Sequence, residues 1–445
     1  MGLISKLSRR QLLKVLGAGA ASASLGSRFF HARAQDSMSG YEPMFDIEDG
    51  TSLRLLRWSG FVGTDEEFWN MHTQMFTDMT GVPVEIEYIT WEDVRAKAAL
   101  AASLGSGPDI VMGWYDDPHL YPDQLVDVSD LAMHLSDTLG GFEAVGESYG
   151  YSPEMDHWIS IPIGGPGNAL VYRQSWLEEA GYSTMPGDWE GFLNLAETLN
   201  QNGHPVGFAL GRAVGDGNTW SHTLLWSFGG KIVEEDGETI AINSPETLEA
   251  LSYAQSLYSV MAPGVSSWLD ANNNRAFLGQ EVGVTANGIS VYVAAQNDFP
   301  DVAADINHAN MPIGPVGMPT ELHLFTQAFI FNHSEAPNAA KEYLRFMLTP
   351  ERAEPWVEAM SGYVTPALKA YKGLDVWTRD PKVTPYRDTI ANMLPNSNAG
   401  RPGTRSAAAL SEYVVLDMIA DATVNGMSPA DAASRAENRL RRIFR

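Results

Sequence analysis

Cysteine is absent from this chain of 445 residues. Its absence excludes disulfide bonds, thiolate metal sites and a cysteine nucleophile, so stability must come from packing. The sequence also lacks the HExxH zinc motif, the GxxxxGK[ST] phosphate loop and a GxGxxG that opens a helix. Neighbouring acids such as Asp116 and Asp117 do not by themselves set the separation of about 5–10 Å that glycoside hydrolysis needs. We therefore expect no cofactor and no catalysis.

Long apolar runs and basic residues are scarce. No stretch approaches the roughly 20 apolar residues that a membrane helix needs. The 29 lysines and arginines are outnumbered by 55 aspartates and glutamates, which gives a net charge of −26. An acidic surface of this kind repels nucleic-acid phosphates and anionic lipids. We therefore predict no nucleic-acid partner and no adhesion to membranes.

The N-terminus has the three parts of a twin-arginine signal peptide. Ser8-Arg9-Arg10-Gln11-Leu12-Leu13-Lys14 forms the basic segment, residues 15–25 form a short apolar segment, and Ala32-Arg33-Ala34 is an A-x-A cleavage site. We expect residues 1–34 to be removed and the mature protein to be soluble in the periplasm. Residues 35–50 are acidic and aperiodic, so we interpret them as a flexible lead-in.

The rest of the chain is longer than one hydrophobic core usually organises, so two domains are expected. Its first part alternates strands and helices at 52–58, 66–80, 84–88, 91–104 and 109–112. This rhythm predicts a parallel sheet flanked by helices, with a binding crevice at the carboxyl ends of the strands. Crossings near Pro162 and near Phe331 indicate a hinged pair of lobes.

Helix signals are clear in the second half of the chain. Ser244 followed by Pro245 is an N-cap with proline at the first helical position, and it predicts a helix to about residue 260. Apolar periodicity predicts further helices at 337–348, 350–360, 404–422 and 429–443. No repeat of fixed period is visible, which disfavours solenoids and propellers.

Five short motifs stand in a recognisable order. They are FTDMTGVPV at 76–84, GPDIV at 107–111, GYxxxPxDWxxF at 181–192, FGG at 228–230 and NG at 287–288. In order and spacing they resemble the extracellular solute-binding proteins of ABC importers, in the carbohydrate-binding branch (family 1) that includes the maltose-binding proteins. The resemblance covers nearly all of residues 51–445. It implies the α/β, two-lobed periplasmic binding protein fold of type II, in which each lobe is a mainly parallel sheet flanked by helices.

The resemblance also implies how the chain is divided and what it does. We expect residues 51–162 plus 283–330 to form the N-terminal lobe, and 163–282 plus 331–445 to form the C-terminal lobe, with hinge strands between them. The protein would act as a monomer that captures a sugar or oligosaccharide by hinge closure and delivers it to the transmembrane subunits of an ABC permease. Family members are often lipoproteins anchored by a cysteine, which this chain lacks, so we expect no lipid anchor.

Two alternatives remain open at this point. The same fold could bind a polyol, a sugar phosphate or another small polar solute. From a different class of protein, a secreted glycoside hydrolase is the rival interpretation. Turnover of oligosaccharides by the purified protein would distinguish that rival from a binding protein.

Sugar sites combine flat aromatic platforms with side chains that donate and accept hydrogen bonds. The candidates at predicted strand and hinge ends are Trp58, Ser59, Trp114, Tyr115, Asp116, Asn168, Trp226, Trp268, Asn272, Asn273, Asn287 and Gly288. Trp114 is the strongest of them, because it ends a strand in an otherwise polar turn. It is displaced by one residue from the tryptophan of the maltose-type proteins, whose direct match is Gly113.

Three further candidates come from the family pattern. Tyr363 lies on a Gly-x-x-x-Pro turn that often faces the cleft in the family. Arg401 and Arg405 lie in the Pro-Asn segment where maltose-type proteins have an aromatic side chain that contacts sugar. These arginines would bind an anionic substituent through a bidentate fork, or they would be exposed arginines on an acidic surface.

One stretch partly matches the calcium-binding loop of an EF-hand. The residues at its positions 1, 3, 5 and 12 are Asp270, Asn272, Asn274 and Glu281. The sixth position is Arg275 instead of glycine, and Glu281 precedes a predicted strand instead of lying on an exiting helix. We therefore predict no metal site and an asparagine-capped helix at the cleft, with Trp268 facing either the cleft or the core.

Overall fold

The computed structural model describes residues 41–445. The predicted signal peptide, residues 1–34, lies outside this described part of the chain. Within residues 41–445, no helix combines the length and the apolar character that crossing a membrane requires. The strands form a six-stranded sheet, a three-stranded sheet and a two-stranded ribbon.

The elements are numbered in chain order. The strands are β1 Leu53–Trp58, β2 Val84–Ile89, β3 Ile110–Trp114, β4 Tyr151–Ser152, β5 His157–Trp158, β6 Ile161–Gly165, β7 Ala169–Arg173, β8 Val284–Asn287, β9 Ile306–Ala309, β10 Thr326–Ile330 and β11 Thr365–Pro366. The first nine helices are α1 Gly63–Thr80, α2 Val94–Leu104, α3 Ser129–Thr138, α4 Ala144–Gly150, α5 Gln174–Glu179, α6 Trp189–Gln201, α7 Asp216–Ser227, α8 Pro245–Tyr258 and α9 Asn272–Leu278. The others are α10 Ser290–Asp298, α11 Pro300–Asp305, α12 Pro337–Met347, α13 Pro350–Ala359, α14 Val376–Arg379, α15 Thr389–Asn392, α16 Thr404–Ser411, α17 Val414–Thr423 and α18 Pro429–Ile443.

The large sheet has the strand order β11-β6-β10-β3-β1-β2. As predicted, β1 pairs in parallel with β2 and with β3. The remaining pairs, β10 with β3 and β6 and β11 with β6, are antiparallel, so the sheet is mixed. The central strand β3 is buried throughout, whereas β2 at the edge alternates between half-buried and exposed residues. This sheet is the core of the first lobe.

The small sheet has the order β8-β7-β9, and both of its pairs are antiparallel. The longer helices α7, α8, α17 and α18 pack against one another on this side of the molecule. The small sheet and these helices form the second lobe. Each lobe therefore has a sheet and helices of its own, as the two-lobed prediction requires. The expectation that each sheet is mainly parallel is wrong, because three of the five strand pairs in the large sheet and both pairs in the small sheet are antiparallel.

The pairing of strands corrects the predicted lobe boundaries. Strands β8 and β9 fall within 283–330, which we expected in the first lobe, but both are hydrogen-bonded to β7 in the second sheet. Helices α12 and α13 fall within 331–445, which we expected in the second lobe, but they pack on α1 in the first. Both errors have one cause. The chain stays in the second lobe until β9 and returns to the first lobe only at β10, which inserts between β6 and β3.

The chain crosses between the lobes three times. The first crossing joins β6 to β7 at Gly165–Ala169, and the second leads from β9 into β10. The third lies between β11, in the first sheet, and α17, which packs on α7 and α8 of the second lobe. At the first crossing the backbones are in close contact, because a Cβ on Gly165 would lie 1.9 Å from the carbonyl oxygen of Leu324. The crossing strands therefore have no space for a side chain at this position.

The described part of the predicted lead-in, residues 41–50, is docked on α12. The Glu48 carboxylate accepts hydrogen bonds from the backbone N–H groups of Asn338 (2.9 Å) and Ala339 (3.0 Å), in the first turn of that helix. Tyr41 donates to the buried carboxylate of Glu342 on the same helix. This segment corrects the expectation of a free lead-in, because a helix distant in sequence provides its partners.

Candidate functional site

A cavity of about 30 Å³ lies between the two lobes. The first lobe lines it with Phe61, Trp91 and Tyr363, and the crossing segments contribute Pro166 and Leu324. The second lobe lines it with Asn168, Gly215, Asp216, Asp270, Asn274, Asn287, Gly288 and Ser290. Phe61 and Trp91 follow β1 and β2, so the cavity lies at the carboxyl ends of the parallel strands, as predicted. Its volume suits about one or two water molecules, so a larger solute enters only if the lobes separate.

The wall from the first lobe is aromatic. The ring of Trp91 lies 5.2 Å from that of Phe61 and 4.4 Å from that of Trp114. Trp58 packs behind them, 4.8 Å from Trp114. The indole N–H groups of Trp58, Trp91 and Trp114 are buried and have no acceptor among residues 41–445. Trp58 and Trp114 thus support the wall, while Trp91, which the sequence analysis did not select, lines the cavity.

The wall from the second lobe is polar and centred on Asp216. Asn168 donates to its Oδ1 at 3.1 Å. Its Oδ2 accepts from Asn273 at 2.8 Å and from Asn287 at 3.1 Å. Three of the predicted candidates, Asn168, Asn273 and Asn287, therefore converge on one carboxylate that was not predicted.

Asp270 lies beside Asp216 and caps helix α7. Its carboxylate accepts from the backbone N–H of Gly215 at 3.0 Å and of Asp216 at 2.6 Å. A carboxylate at a helix N-terminus is stabilised by the unpaired N–H groups and by the helix dipole. This cap directs the first residue of α7, Asp216, into the cavity.

Two carboxyl groups line the cavity, and their burial favours the neutral form of each. Burial raises the pKa of Asp216 well above its ordinary value, and the neighbouring Asp270 adds to this effect. Burial also raises the pKa of Asp270, to about 6, although the backbone N–H groups of α7 oppose the shift. Within the described part of the chain, no lysine, arginine or histidine lines the cavity.

Two of the predicted candidates join the lobes instead of lining the cavity. Tyr115 has a φ of 45° and donates from its hydroxyl to the carbonyl of Val214 in the second lobe at 3.0 Å. Asp116 accepts from Asn396 Nδ2 at 2.9 Å and from Ser406 Oγ at 3.0 Å, both from the C-terminal part of the second lobe. Burial raises the pKa of Asp116 to about 7. These contacts hold the lobes together next to the cavity.

Trp268 faces the core of the second lobe. Its ring covers Gly207 so closely that a Cβ there would lie 2.7 Å from it. The predicted asparagine cap of α9 is wrong, because the N-cap residue is Ala271 and no side chain caps the helix. Asn272, the first helical residue, instead accepts from the backbone N–H of Leu269 at 2.8 Å. In this short stretch, Asn273, Asn274 and Asp270 are the residues that reach the site.

The remaining candidates are distributed as follows. Gly288 and Tyr363 line the cavity, as Asn168 and Asn287 do. Trp226 lies within α7 and packs on His222, with 5.5 Å between the rings. Ser59, Arg401 and Arg405 are exposed, and Arg405 lies 3.9 Å from Glu238 on the surface. None of these last four lines the cavity.

Two stretches match known motifs in sequence but lack the structure that each motif requires. Gly146-Glu147-Ser148-Tyr149-Gly150 has the GxSxG spacing of a nucleophile elbow, but it lies inside helix α4 and not at a strand-to-helix turn. In the calcium-like stretch, Asp270 caps α7, and Glu281 is exposed after α9 has ended. Among residues 41–445, no group of three or more acidic or histidine side chains is arranged to hold a metal ion.

The sequence is similar to binding proteins of ABC transporters. The family model of the bacterial extracellular solute-binding proteins matches residues 73–385. A probable ABC transporter-binding protein of Deinococcus radiodurans is 24% identical over 379 residues, which cover 82% of this chain and 87% of the relative.

The fold is similar to solved sugar-binding structures. A sugar transporter protein from Arthrobacter chlorophenolicus with bound laminaribiose superposes with a TM-score of 0.76 at 18% identity, covering 88% of this chain and 100% of the other. Maltose-bound T. maritima MalE3 gives a TM-score of 0.74 at 19% identity, covering 88% and 99%. These matches confirm the predicted two-lobed α/β fold.

Proposed function

Since the chain belongs to the bacterial extracellular solute-binding proteins, we propose that it captures a carbohydrate or polyol between its lobes and delivers it to an ABC permease. The observation that carries this proposal is the composition of the cavity, in which an aromatic wall from one lobe faces an amide and carboxylate wall from the other. A ligand in contact with both walls would stabilise the closed state of the molecule.

The two walls suit the two kinds of surface on a sugar. The face of Trp91 would pack on the weakly apolar C–H face of a ring. Asp216 and Asn287 would exchange hydrogen bonds with hydroxyl groups, and the indole N–H of Trp91 would donate to a hydroxyl oxygen. The similar structures named above were solved with the sugars laminaribiose and maltose, which supports this class of ligand.

Two of the alternatives receive less support. A sugar phosphate would place an anion beside Asp216 and Asp270, and the two arginines suggested for that role, Arg401 and Arg405, are on the surface. Glycoside hydrolysis would need one carboxyl group free to act as a general acid and another free as a nucleophile or base. Here both carboxylates are engaged by amide or backbone donors. We therefore keep the proposal of binding without catalysis.

The place of action follows from the same proposal. The predicted twin-arginine signal would export the folded protein, and the family description is extracellular. In the periplasm the protein would act as a monomer, with the transmembrane permease subunits as its partner.

The proposal is tested by a thermal-shift screen over sugars and polyols. A ligand at about a hundred times its dissociation constant should stabilise the protein by roughly 2.7 kcal/mol. Trp91→Ala should abolish that shift, because it removes the ring that lines the cavity. Trp176→Ala should retain it, because that half-buried tryptophan stacks on His204 at the surface of the second lobe.

Either of two results would contradict the proposal. One is the absence of a shift with every carbohydrate and polyol in the screen. The other is the release of monosaccharides when the purified protein is incubated with oligosaccharides, since a binding protein leaves its ligand intact.

A further inference from the structure

Two buried carboxyl groups without a cationic partner indicate a narrower class of ligand than sugars in general. We infer that the solute carries a protonated amine as well as hydroxyl groups, as an amino sugar or an amino polyol does. This inference rests on the proposed function, and it specifies the substrate class of the same site. It is carried by the two buried carboxylates, the surrounding donors and the aromatic wall.

The two carboxylates have hydrogen-bond donors but no positive partner. Asp216 and Asp270 are only 9% and 6% exposed. Every donor that the structure shows for them is neutral, either an asparagine amide or a backbone N–H. Neutral donors reduce the cost of burying a charge, but a cation compensates it more fully. A ligand ammonium would supply the missing charge.

The cations of the first lobe near the cavity are already engaged. Arg57, behind Trp58, is paired with Asp65 at 2.9 Å, and both side chains are fully buried. Arg95 is paired with Asp117, also at 2.9 Å. Each arginine therefore neutralises a carboxylate of its own and leaves Asp216 and Asp270 without one.

The aromatic wall is suited to the same ligand. Phe61, Trp91 and Tyr363 face the carboxylates across the cavity. A cation within about 6 Å of an aromatic ring centre is attracted by the negative face of the ring. An ammonium group between the two walls would thus be attracted from both sides, whereas a carboxylate or phosphate would be repelled by both.

Hydroxyl groups on the ligand are indicated by a separate observation. Trp91 lines the cavity, is nine-tenths buried, and its indole N–H has no acceptor among the described residues. An ammonium group has no lone pair to accept this hydrogen bond, but a hydroxyl oxygen has. The site therefore offers one partner for a cation and another for a hydroxyl.

The test compares matched pairs of ligands on the wild-type protein by isothermal titration calorimetry. The pairs are D-glucosamine with D-glucose, D-galactosamine with D-galactose, and 1-amino-1-deoxysorbitol with sorbitol, at a pH where the amines are protonated. In at least one pair the amine should bind ten times more tightly or better. The inference is overturned if no amine in the set binds, or if the neutral member binds as tightly in each pair that binds.

The two proposals fail in different ways. If neutral sugars bind as well as the amines do, the inference is wrong and the carbohydrate-binding function stands. If neither these pairs nor neutral disaccharides bind, the proposed function fails as well.

A pair of variants tests whether Asp216 causes the preference for the amine over the neutral ligand. Asp216→Asn should weaken binding of the preferred amine at least tenfold while changing the affinity for its neutral partner less. Asp137→Asn is the matched control, because it removes one exposed carboxylate of α3, away from the cavity. Equal losses for amine and neutral ligand in Asp216→Asn would contradict the inference, and the wild-type comparison remains decisive if this variant does not fold.

Discussion

Asp116 shows at the scale of one residue how burial without a cation makes stability depend on pH. Its carboxyl group is fully buried, with a pKa raised to about 7. The unfolded carboxyl group has a pKa near 3.9, so between about pH 4 and 7 the folded state binds more protons than the unfolded state does. The contribution of Asp116 to stability therefore falls as the pH rises through this window.

We predict that Asp116→Asn removes this pH dependence. The amide oxygen can still accept from Asn396 and Ser406, and the amide nitrogen would replace Oδ1, which has no donor. The unfolding free energy of the variant minus that of wild type should increase by roughly 2–4 kcal/mol when the pH is raised from 4.5 to 7.5. Urea denaturation at the two pH values measures this gain, and Asp137→Asn is the control. An unchanged difference between variant and wild type would refute the prediction.

Residue types near the site could be predicted from the sequence, but the direction of side chains could not. Trp114 and Trp91 both lie near the carboxyl ends of strands, yet the ring of Trp114 is covered and that of Trp91 reaches the cavity. Asp270 was noticed only as part of a calcium-like pattern. Its real partner, the N–H of Asp216, lies 54 residues away, and local patterns do not reveal such a contact.

At the scale of elements, local signals were more informative. The predicted cap of α8 is confirmed, since Ser244 accepts from the backbone N–H of Thr247 at 3.3 Å and Pro245 is the first helical residue. The predicted end of α1 is also confirmed, because Gly81 is in the left-handed region, with a φ of 77°. Caps use neighbours in the chain, and a sequence contains that information.

We predict that Ser244→Ala destabilises the protein by about 1 kcal/mol, because the first turn of α8 loses its side-chain acceptor. Ser244→Gly should cost only a few tenths of a kcal/mol. Ser252→Ala is the matched control in the same helix, since the exposed Ser252 hydroxyl only donates to the carbonyl of Leu248. Chemical denaturation measures all three variants. A Ser244→Ala variant as stable as wild type would show that water replaces the cap.

The predicted single helix at 404–422 is wrong for a reason that periodicity conceals. Helices α16 and α17 are separated at Tyr413, whose φ of 58° is left-handed. Glycine usually occupies this conformation, because a Cβ makes it unfavourable, but the residue here is a tyrosine and the sequence therefore gives no sign of the break. The apolar pattern continues on both sides of the break because both helices are packed, α16 on residues 117–120 and on α17, and α17 on α7, α8 and α18.

At the scale of the whole molecule, closure depends on a few polar contacts between the lobes. Tyr115 supplies one of them, through its bond to the carbonyl of Val214. That carbonyl also accepts from Asn218 Nδ2 at 3.2 Å, so it keeps a partner when the tyrosine hydroxyl is removed. Loss of the Tyr115 hydroxyl should therefore change the equilibrium between the open and closed states more than it changes the stability of either lobe.

We predict that Tyr115→Phe weakens ligand binding by roughly two- to tenfold, which corresponds to one lost hydrogen bond. The radius of gyration of the ligand-free variant, measured by small-angle X-ray scattering, should increase. Tyr258→Phe, which removes a hydroxyl from α8 away from the cavity, should leave both quantities unchanged. If Tyr115→Phe binds its ligand as wild type does, the bond contributes nothing to closure.

The two-lobed architecture could be predicted from the order of motifs, whereas the membership of each lobe could not. Strand β10 is hydrogen-bonded to β3 and β6, which lie far from it in the chain, and this pairing decides where α12 and α13 belong. A sequence shows that 326–330 is a strand, but it does not show between which strands it inserts.

The docking of residues 41–50 on α12 has a consequence for the order in which the protein is made. Tyr41 and its partner Glu342 are 301 residues apart. At about 5–20 residues per second, synthesis separates the two by roughly 15–60 s. For most of that interval β3 lacks its neighbour β10, and the helix that the N-terminal segment covers has not been made. The first lobe is thus begun early on the ribosome but is completed only near the end of translation.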